Sequence, residues 1–196
     1  MNPYFTTPNI IKETANGTTY CPIQDELFSV RRCVEVVGEI TRDSVYSLIL
    51  QLRYLCHAGQ EKEITMYINS PGGSVCDGLA LYDVMKAVSC PIRTVCVGMA
   101  ASMGALLFAA GDVREMLPHA EVMIHDPLAT GISGSALSIE ESSRRLMGIR
   151  QTTAKILAGH TGHTVEEVYE KTRQDSYFNA QEAVAWGLAD RIITEI

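Results

Sequence analysis

The spacing of apolar and polar positions changes several times along the chain, and each change predicts an element. Residues 1–25 mix Pro, Thr, Asn and Gly without a period, which predicts an arm or loop. "RCVEVVGEI" (32–40) reads as a strand. From Thr41 the apolar residues Val45, Leu48, Ile49, Leu52, Leu55 and Cys56 recur at helical spacing until Gly59. "EITMYINS" predicts the next strand, followed by "PGGS" and a helix from near Val75 with Leu79, Tyr82 and Met85 facing inward. After Pro91, "IRTVCVG" predicts a third strand, then a helix over 102–110 and short strands near 115–117 and 121–124. Helical patterns follow over 138–160 and 165–173, opened by the capping-box pairs Ser138/Glu141 and Thr164/Glu167. Asn179 and Glu182 open a short helix that Gly187 closes, and "LADRIITEI" reads as a last strand.

Strands alternating with helices imply parallel strands joined by crossover helices, an α/β fold. At 196 residues the chain fits a single domain, placed at 26–196 after the 1–25 arm. With 46% apolar and 20% charged residues it has the composition of a globular protein able to bury a large core.

Charge narrows the partners. The formal net charge is −7, and no basic run exceeds the pairs Arg31-Arg32 and Arg144-Arg145, so no nucleic acid partner is expected. The six cysteines include no C-x-x-C pair, which predicts reduced thiols, no metal site and a cytoplasmic location. The opening "MNPYFTTPNIIKETANG" has no basic region ahead of an apolar segment, so no secretory signal is expected and Asn16-Gly17-Thr18 reads as an idle glycosylation match. The uncharged run 94–111 is interrupted by Gly98, Ser102 and Gly104. It therefore predicts a buried strand and helix rather than a membrane span.

Candidate chemistry gathers around Ser102. "AASMG" departs from G-x-S-x-G by one methyl group, and that pattern turns a strand sharply into a helix with the hydroxyl exposed. A nucleophilic serine needs a base, an orienting group and donors for the oxyanion. Of the five histidines, His57, His119, His160 and His163 read as surface residues, whereas His125 ends the apolar strand "EVMI", where α/β sheets collect ligand chemistry. His125 alone is equally a strand-end histidine satisfied by backbone. In "INSPGGSV" the glycines open onto a helix start, suited to an oxyanion hole or a phosphate cradle, without the lysine of a P-loop. Asp126 neighbours His125 but points to the opposite face of a strand, and Asp175 on spacing alone reads as a solvated aspartate.

Together "MYINSPGGSV", "YDVM", "GMAASMGALLFAAG", "LPHAEVMIHDPL" and "DSYFNAQEAVAWGLAD" resemble, in order, the proteolytic subunits of the Clp protease, the ClpP family, over nearly the whole chain. The resemblance implies a ClpP/crotonase-like fold: stacked β-α-β units with a protruding helical handle at about 126–160. It implies a serine endopeptidase with Ser102 as nucleophile, His125 as general base, Asp175 as its orienter, and the Gly73 and Met103 amides as oxyanion hole. It further implies self-association into stacked heptameric rings around a chamber, fed with unfolded polypeptides by an AAA+ Clp unfoldase. That partner would use the ATP, so no cofactor is expected in this chain.

The chain departs from the family pattern in four places. The segment "AAGDVREMLP" is shorter and less basic than usual, Asp126 and Ala129-Thr130 stand where Gln and a glycine pair are common, and Gln174 replaces an arginine of the ring contact. On the unfoldase-docking surface, Thr65 and Ala87 stand where aromatic residues are expected. Two other functions compete with the active peptidase. One is a weakly active or structural ring subunit needing a paralogous partner, suggested by Gln174. The other is a crotonase-like acyl-CoA enzyme, which would leave Ser102 and His125 unexplained.

Overall fold

The computed structural model describes residues 7–15 and 17–196. Residues 1–6, the outer part of the expected arm, and Asn16, of the glycosylation match, lie outside the described residues. The inner part of the arm is structured. β1 (Asn9–Thr14) and β2 (Gly17–Pro22) pair antiparallel, with Asn9 opposite Pro22. Most positions of both strands are exposed, so there is no buried face to impose an alternation on the sequence. α1 (Ile23–Ser29) follows, and its Glu26 pairs with Lys12 of β1.

A second sheet organises the rest. β3 (Cys33–Val37), β4 (Ile64–Ser70) and β5 (Ile92–Ala101) are parallel neighbours, joined by α2 (Arg42–Ala58) and α3 (Val75–Ala87). Val34, Val36, Ile64, Met66 and Ile68 are buried on these strands. Against them α2 buries Val45, Leu48, Leu52 and Leu55, while Ile49 and Cys56 lie half-buried at its flank. Thr41 caps α2, with Ser44 returning the bond to the Thr41 amide. On α3 the buried residues are Gly78, Leu81 and Met85; the expected inward residues Leu79 and Tyr82 are only half-buried.

β5 serves two neighbours. Its first half, Arg93 to Cys96, pairs with β6 (Val113–Met116), and its last three residues, from Met99, pair with β7 (Glu121–Ile124). Between β5 and β6 lies α4 (Met103–Ala109), every residue of which is buried. No charged residue occurs in it, and full burial is the reason.

The last third is mostly helical. α5 (Ala136–Thr161) begins earlier than the capping pattern predicts, because the Ser135 hydroxyl accepts from Ser138 N at 3.3 Å. Glu141, expected to close a box with Ser138, instead pairs with Arg144 at 2.9 Å. The buried residues of α5 are Ala154, Leu157 and Ala158, all in its C-terminal half, so its N-terminal half packs little against the core. α6 (Val165–Thr172) and α7 (Ala180–Ala185) carry the predicted boxes at Thr164/Glu167 and Asn179/Glu182. Between them β8 (Ser176–Asn179) pairs antiparallel with β7, and the final strand β9 (Arg191–Ile192) is short and pairs with β6.

Two histidines expected at the surface are engaged. The Tyr82 hydroxyl lies 3.1 Å from His160 Nε2, and burial, with Lys86 and Arg114 nearby, holds the imidazole pKa below its ordinary value. His163 stacks on Trp186 with ring centroids 4.3 Å apart. No helix among the described residues is long and apolar enough to cross a membrane.

Candidate active site

β5 ends in an elbow. Its last ladder pair sets Ala101 beside Met123 of β7, and Ser102 N donates to Met123 O at 2.8 Å. The chain turns directly into α4 with Ser102 at φ 54°, ψ −118°, a backbone region that disfavours any residue with a Cβ. Ser102 O accepts from Ala105 N at 3.1 Å, so the first turn of α4 holds the elbow from the other side. Ala100, Ala101 and Gly104 are buried around it. Larger side chains would not fit within so sharp a turn.

The sheet brings the second group to the first. Parallel β5 and β7 end on the same side, and the Ala101 and Met123 register sets Ile124 level with Ser102 and His125 one residue beyond it. His125 Nε2 lies 2.8 Å from Ser102 Oγ. Antiparallel β8 pairs Ser176 with Ile124, which delivers Asp175 opposite His125. Asp175 Oδ1 stands 3.7 Å from His125 Nδ1, within ion-pair reach but longer than a hydrogen bond, and its side chain is 60% exposed. Ser102 and His125 are thus in contact, and Asp175 is close to them without being locked.

The glycine loop crosses above the elbow. Ser70 closes β4 by donating its hydroxyl to Gly38 O at 2.6 Å and accepting from Gly72 N at 3.1 Å. Ile40 then clamps the loop, donating its amide to Gly72 O and accepting from Ser74 N, both at 2.8 Å. A Cβ on Gly72 would lie 2.7 Å from Ser102 Cβ and 3.1 Å from Met103 N. Only glycine allows that approach. Met103 is the first residue of α4, so its N–H has no acceptor within the helix and carries the positive end of the helix dipole.

An apolar cleft opens beside Ser102, lined by Val75, Met103, Leu106, Ile124, Ala154 and Leu157. Its outer wall holds a pairing that the sequence did not point to. Asp126 Oδ2 accepts from Arg150 Nε at 2.6 Å and Asp126 Oδ1 from Thr172 Oγ1 at 2.7 Å, while the Arg150 guanidinium lies 3.9 Å over the Tyr169 ring. Asp126 therefore turns away from the imidazole, as strand geometry predicts, and binds α5 and α6 to the end of β7. No motif spans the separation between these residues, so nothing in the sequence could have paired them. Cys96, on the strand that leads into Ser102, has its thiol pushed up to about 12 by burial, which keeps it protonated and unreactive. No group of three or more His, Cys, Asp or Glu among the described residues is arranged to hold a metal ion.

The family model for Clp protease matches residues 16–196. The chain belongs to the Clp protease family. Membership supports a serine-type protease role, and the parallel sheet with its crossover helices is the ClpP/crotonase-like α/β fold. The departures from the Clp pattern have definite places. Asp126 is the anchor just described, and Gln174 is exposed between α6 and β8. Thr65 is buried on β4, whereas Ala87 is exposed at the end of α3.

Proposed function

We propose that this chain is a serine endopeptidase in which Ser102 is the nucleophile and His125 its base. The observation that carries this reading is the 2.8 Å contact between Ser102 Oγ and His125 Nε2 on a strained elbow beneath a glycine loop. Ser102 Oγ attacks the scissile carbonyl carbon while His125 Nε2 takes its proton. The amides of Gly73 and Met103 hold the resulting oxyanion. His125 then gives the proton to the leaving amine, and water hydrolyses the acyl-enzyme by the same route in reverse. Asp175 orients the imidazole and stabilises its charged form once the gap to Nδ1 closes.

The proposal extends to assembly and supply: stacked rings enclosing a chamber in the cytoplasm, fed with unfolded chains by a Clp ATPase. Exposed Leu128, Ile132, Leu137, Ile139 and Met147 along the 128–147 stretch support association, since such apolar surface is costly to leave in water. The exposed Asp175 also favours a second reading, a weakly active subunit whose acid is aligned only by a neighbour.

Fluorophosphonate labelling with peptide mass mapping tests the peptidase. A single adduct on Ser102, absent in Ser102→Ala, is the expected result. An adduct on another residue, or none in protein that remains folded, rejects the nucleophile assignment.

A further inference from the structure

Away from the candidate active site, two cysteines from different elements are brought close together. Cys56 lies in the last turn of α2, and Cys90 lies in the turn between α3 and β5. Cys56 Sγ lies 3.4 Å from the hydroxyl of Ser89, the residue before Cys90, and Cys90 Sγ in turn reaches the carbonyl of Gly59, three residues past Cys56, so the two thiols occupy the same corner of the fold. Cys90 is 3% exposed and its sulfur is fixed on two sides, donating to Gly59 O at 3.3 Å and accepting from Arg32 Nη2 at 3.5 Å.

The surroundings are built rather than incidental. Arg32 holds a positive φ of 55° while its guanidinium donates to the carbonyls of Gly59, Lys62 and Glu63, each at 3.1 Å, and reaches Cys90. Cys56, by contrast, is half-buried in a groove with Leu50, Tyr54, His57, Ala87 and Val88, so a small molecule reaches it from solvent. The outer sulfur is open and the inner one is fixed in place close by.

We propose that Cys56 and Cys90 form a dithiol site for hydroperoxides, with Cys56 as the attacking sulfur and Cys90 as the resolving one. The Cys56 thiolate attacks the outer peroxide oxygen, the O–O bond breaks, and Cys56 becomes a sulfenic acid as the peroxide leaves as alkoxide or hydroxide. The Cys90 sulfur then attacks Cys56 Sγ. The S–O bond breaks, the hydroxyl leaves with the Cys90 proton as water, and a disulfide remains, so one peroxide is reduced for each dithiol oxidised. Hydrogen bonding at Cys56, chiefly with Ser89, outweighs its burial and brings its thiol down to about 7, which favours the thiolate near neutral pH. Cys90, desolvated by burial first and influenced by nearby Cys56 second, is raised and waits as the thiol.

The disulfide would close the segment 56–90, which contains β4, the Gly72-Gly73 loop and α3, and would stiffen it against unfolding. The test uses the full chain, treated with equimolar hydrogen peroxide, then alkylated and mapped by mass spectrometry. A Cys56 to Cys90 crosslink that dithiothreitol reverses, with a higher melting temperature in the oxidised form, is expected. In Cys90→Ser the reaction should stop at a sulfenic acid on Cys56, trapped by dimedone. Oxidation of exposed Cys76 while Cys56 and Cys90 both remain alkylatable overturns the proposal, as does oxidised wild type with Cys90 still a free thiol. The wild-type crosslink decides the matter even if the Cys90→Ser chain does not fold.

Discussion

Arg150, near the middle of α5, donates from Nε to Asp126 Oδ2 at 2.6 Å, so the residue that follows His125 is fastened to the long helix. Thr172 of α6 binds the other carboxylate oxygen. Asp126→Ala leaves Arg150 and Thr172 without their acceptor at the wall of the cleft. It should cost about 2 kcal/mol, the range for hydrogen bonds to a charged group, and lower peptide turnover by loosening the end of β7. Asp126→Asn, which keeps an acceptor for Thr172, should lie between wild type and alanine. Thermal unfolding and peptidase assays on the three proteins check the order.

Asp175 stands 3.7 Å from His125 and is mostly exposed, whereas Ser102 touches the imidazole. The acid should therefore matter less than the nucleophile. Ser102→Ala is expected to lower kcat by about 10⁴-fold or more, and Asp175→Asn by about 10²-fold. Equal losses would mean that the gap to Nδ1 is closed in the working enzyme, and steady-state kinetics on a fluorogenic peptide measures it.

Gly72 and Gly131 both have positive φ, 95° and 72°, but only Gly72 is crowded. An alanine at 131 meets nothing within 4 Å and should cost only the backbone strain, about 1 kcal/mol. At 72 the Cβ lies 2.8 Å from Ala101 O as well as against Ser102, so the cost should reach about 2–5 kcal/mol. Gly72→Ala is also expected to abolish fluorophosphonate labelling, while Gly131→Ala retains it.

His160 predicts part of the acid stability profile. Burial, then Lys86 and Arg114, depress its folded pKa, against a smaller opposing effect of Asp112. The unfolded chain therefore binds a proton more readily than the folded one. Stability should be fully present above the unfolded value near 6.5 and fall as the pH drops below it, until the folded group also titrates. His160→Gln, which keeps a polar partner for Tyr82, should flatten that limb. Denaturant unfolding between pH 7.5 and about pH 5 makes the comparison.

The elbow, the glycine loop and His125 were legible because each is written in contiguous residues. "AASMG" holds the small neighbours that the Ser102 turn demands, and "EVMI" ends where His125 begins. β8 escaped notice because its short stretch "SYFN" ends on Asn179, which signals a helix start more strongly than a strand. Without β8, nothing but resemblance placed Asp175 beside His125. The β1–β2 hairpin and α1 were missed for another reason: they bury almost nothing, so selection on apolar spacing leaves no trace there. Asp126 is the clearest case of information absent from the string. Its partners lie on α5 and α6, and only the folded chain introduces them.

The positive φ of Ser102 makes this chain less durable than it could be. At φ 54°, ψ −118°, a Cβ is a handicap that glycine does not share. Ser102→Gly should consequently melt above Ser102→Ala, by about 1–2 kcal/mol in unfolding free energy, although glycine normally weakens a helix start relative to alanine. Both variants lack the hydroxyl, so the difference isolates the backbone. A sequence optimised for longevity alone would place glycine at this turn, and under the proposed function the serine keeps reactivity there at the expense of robustness.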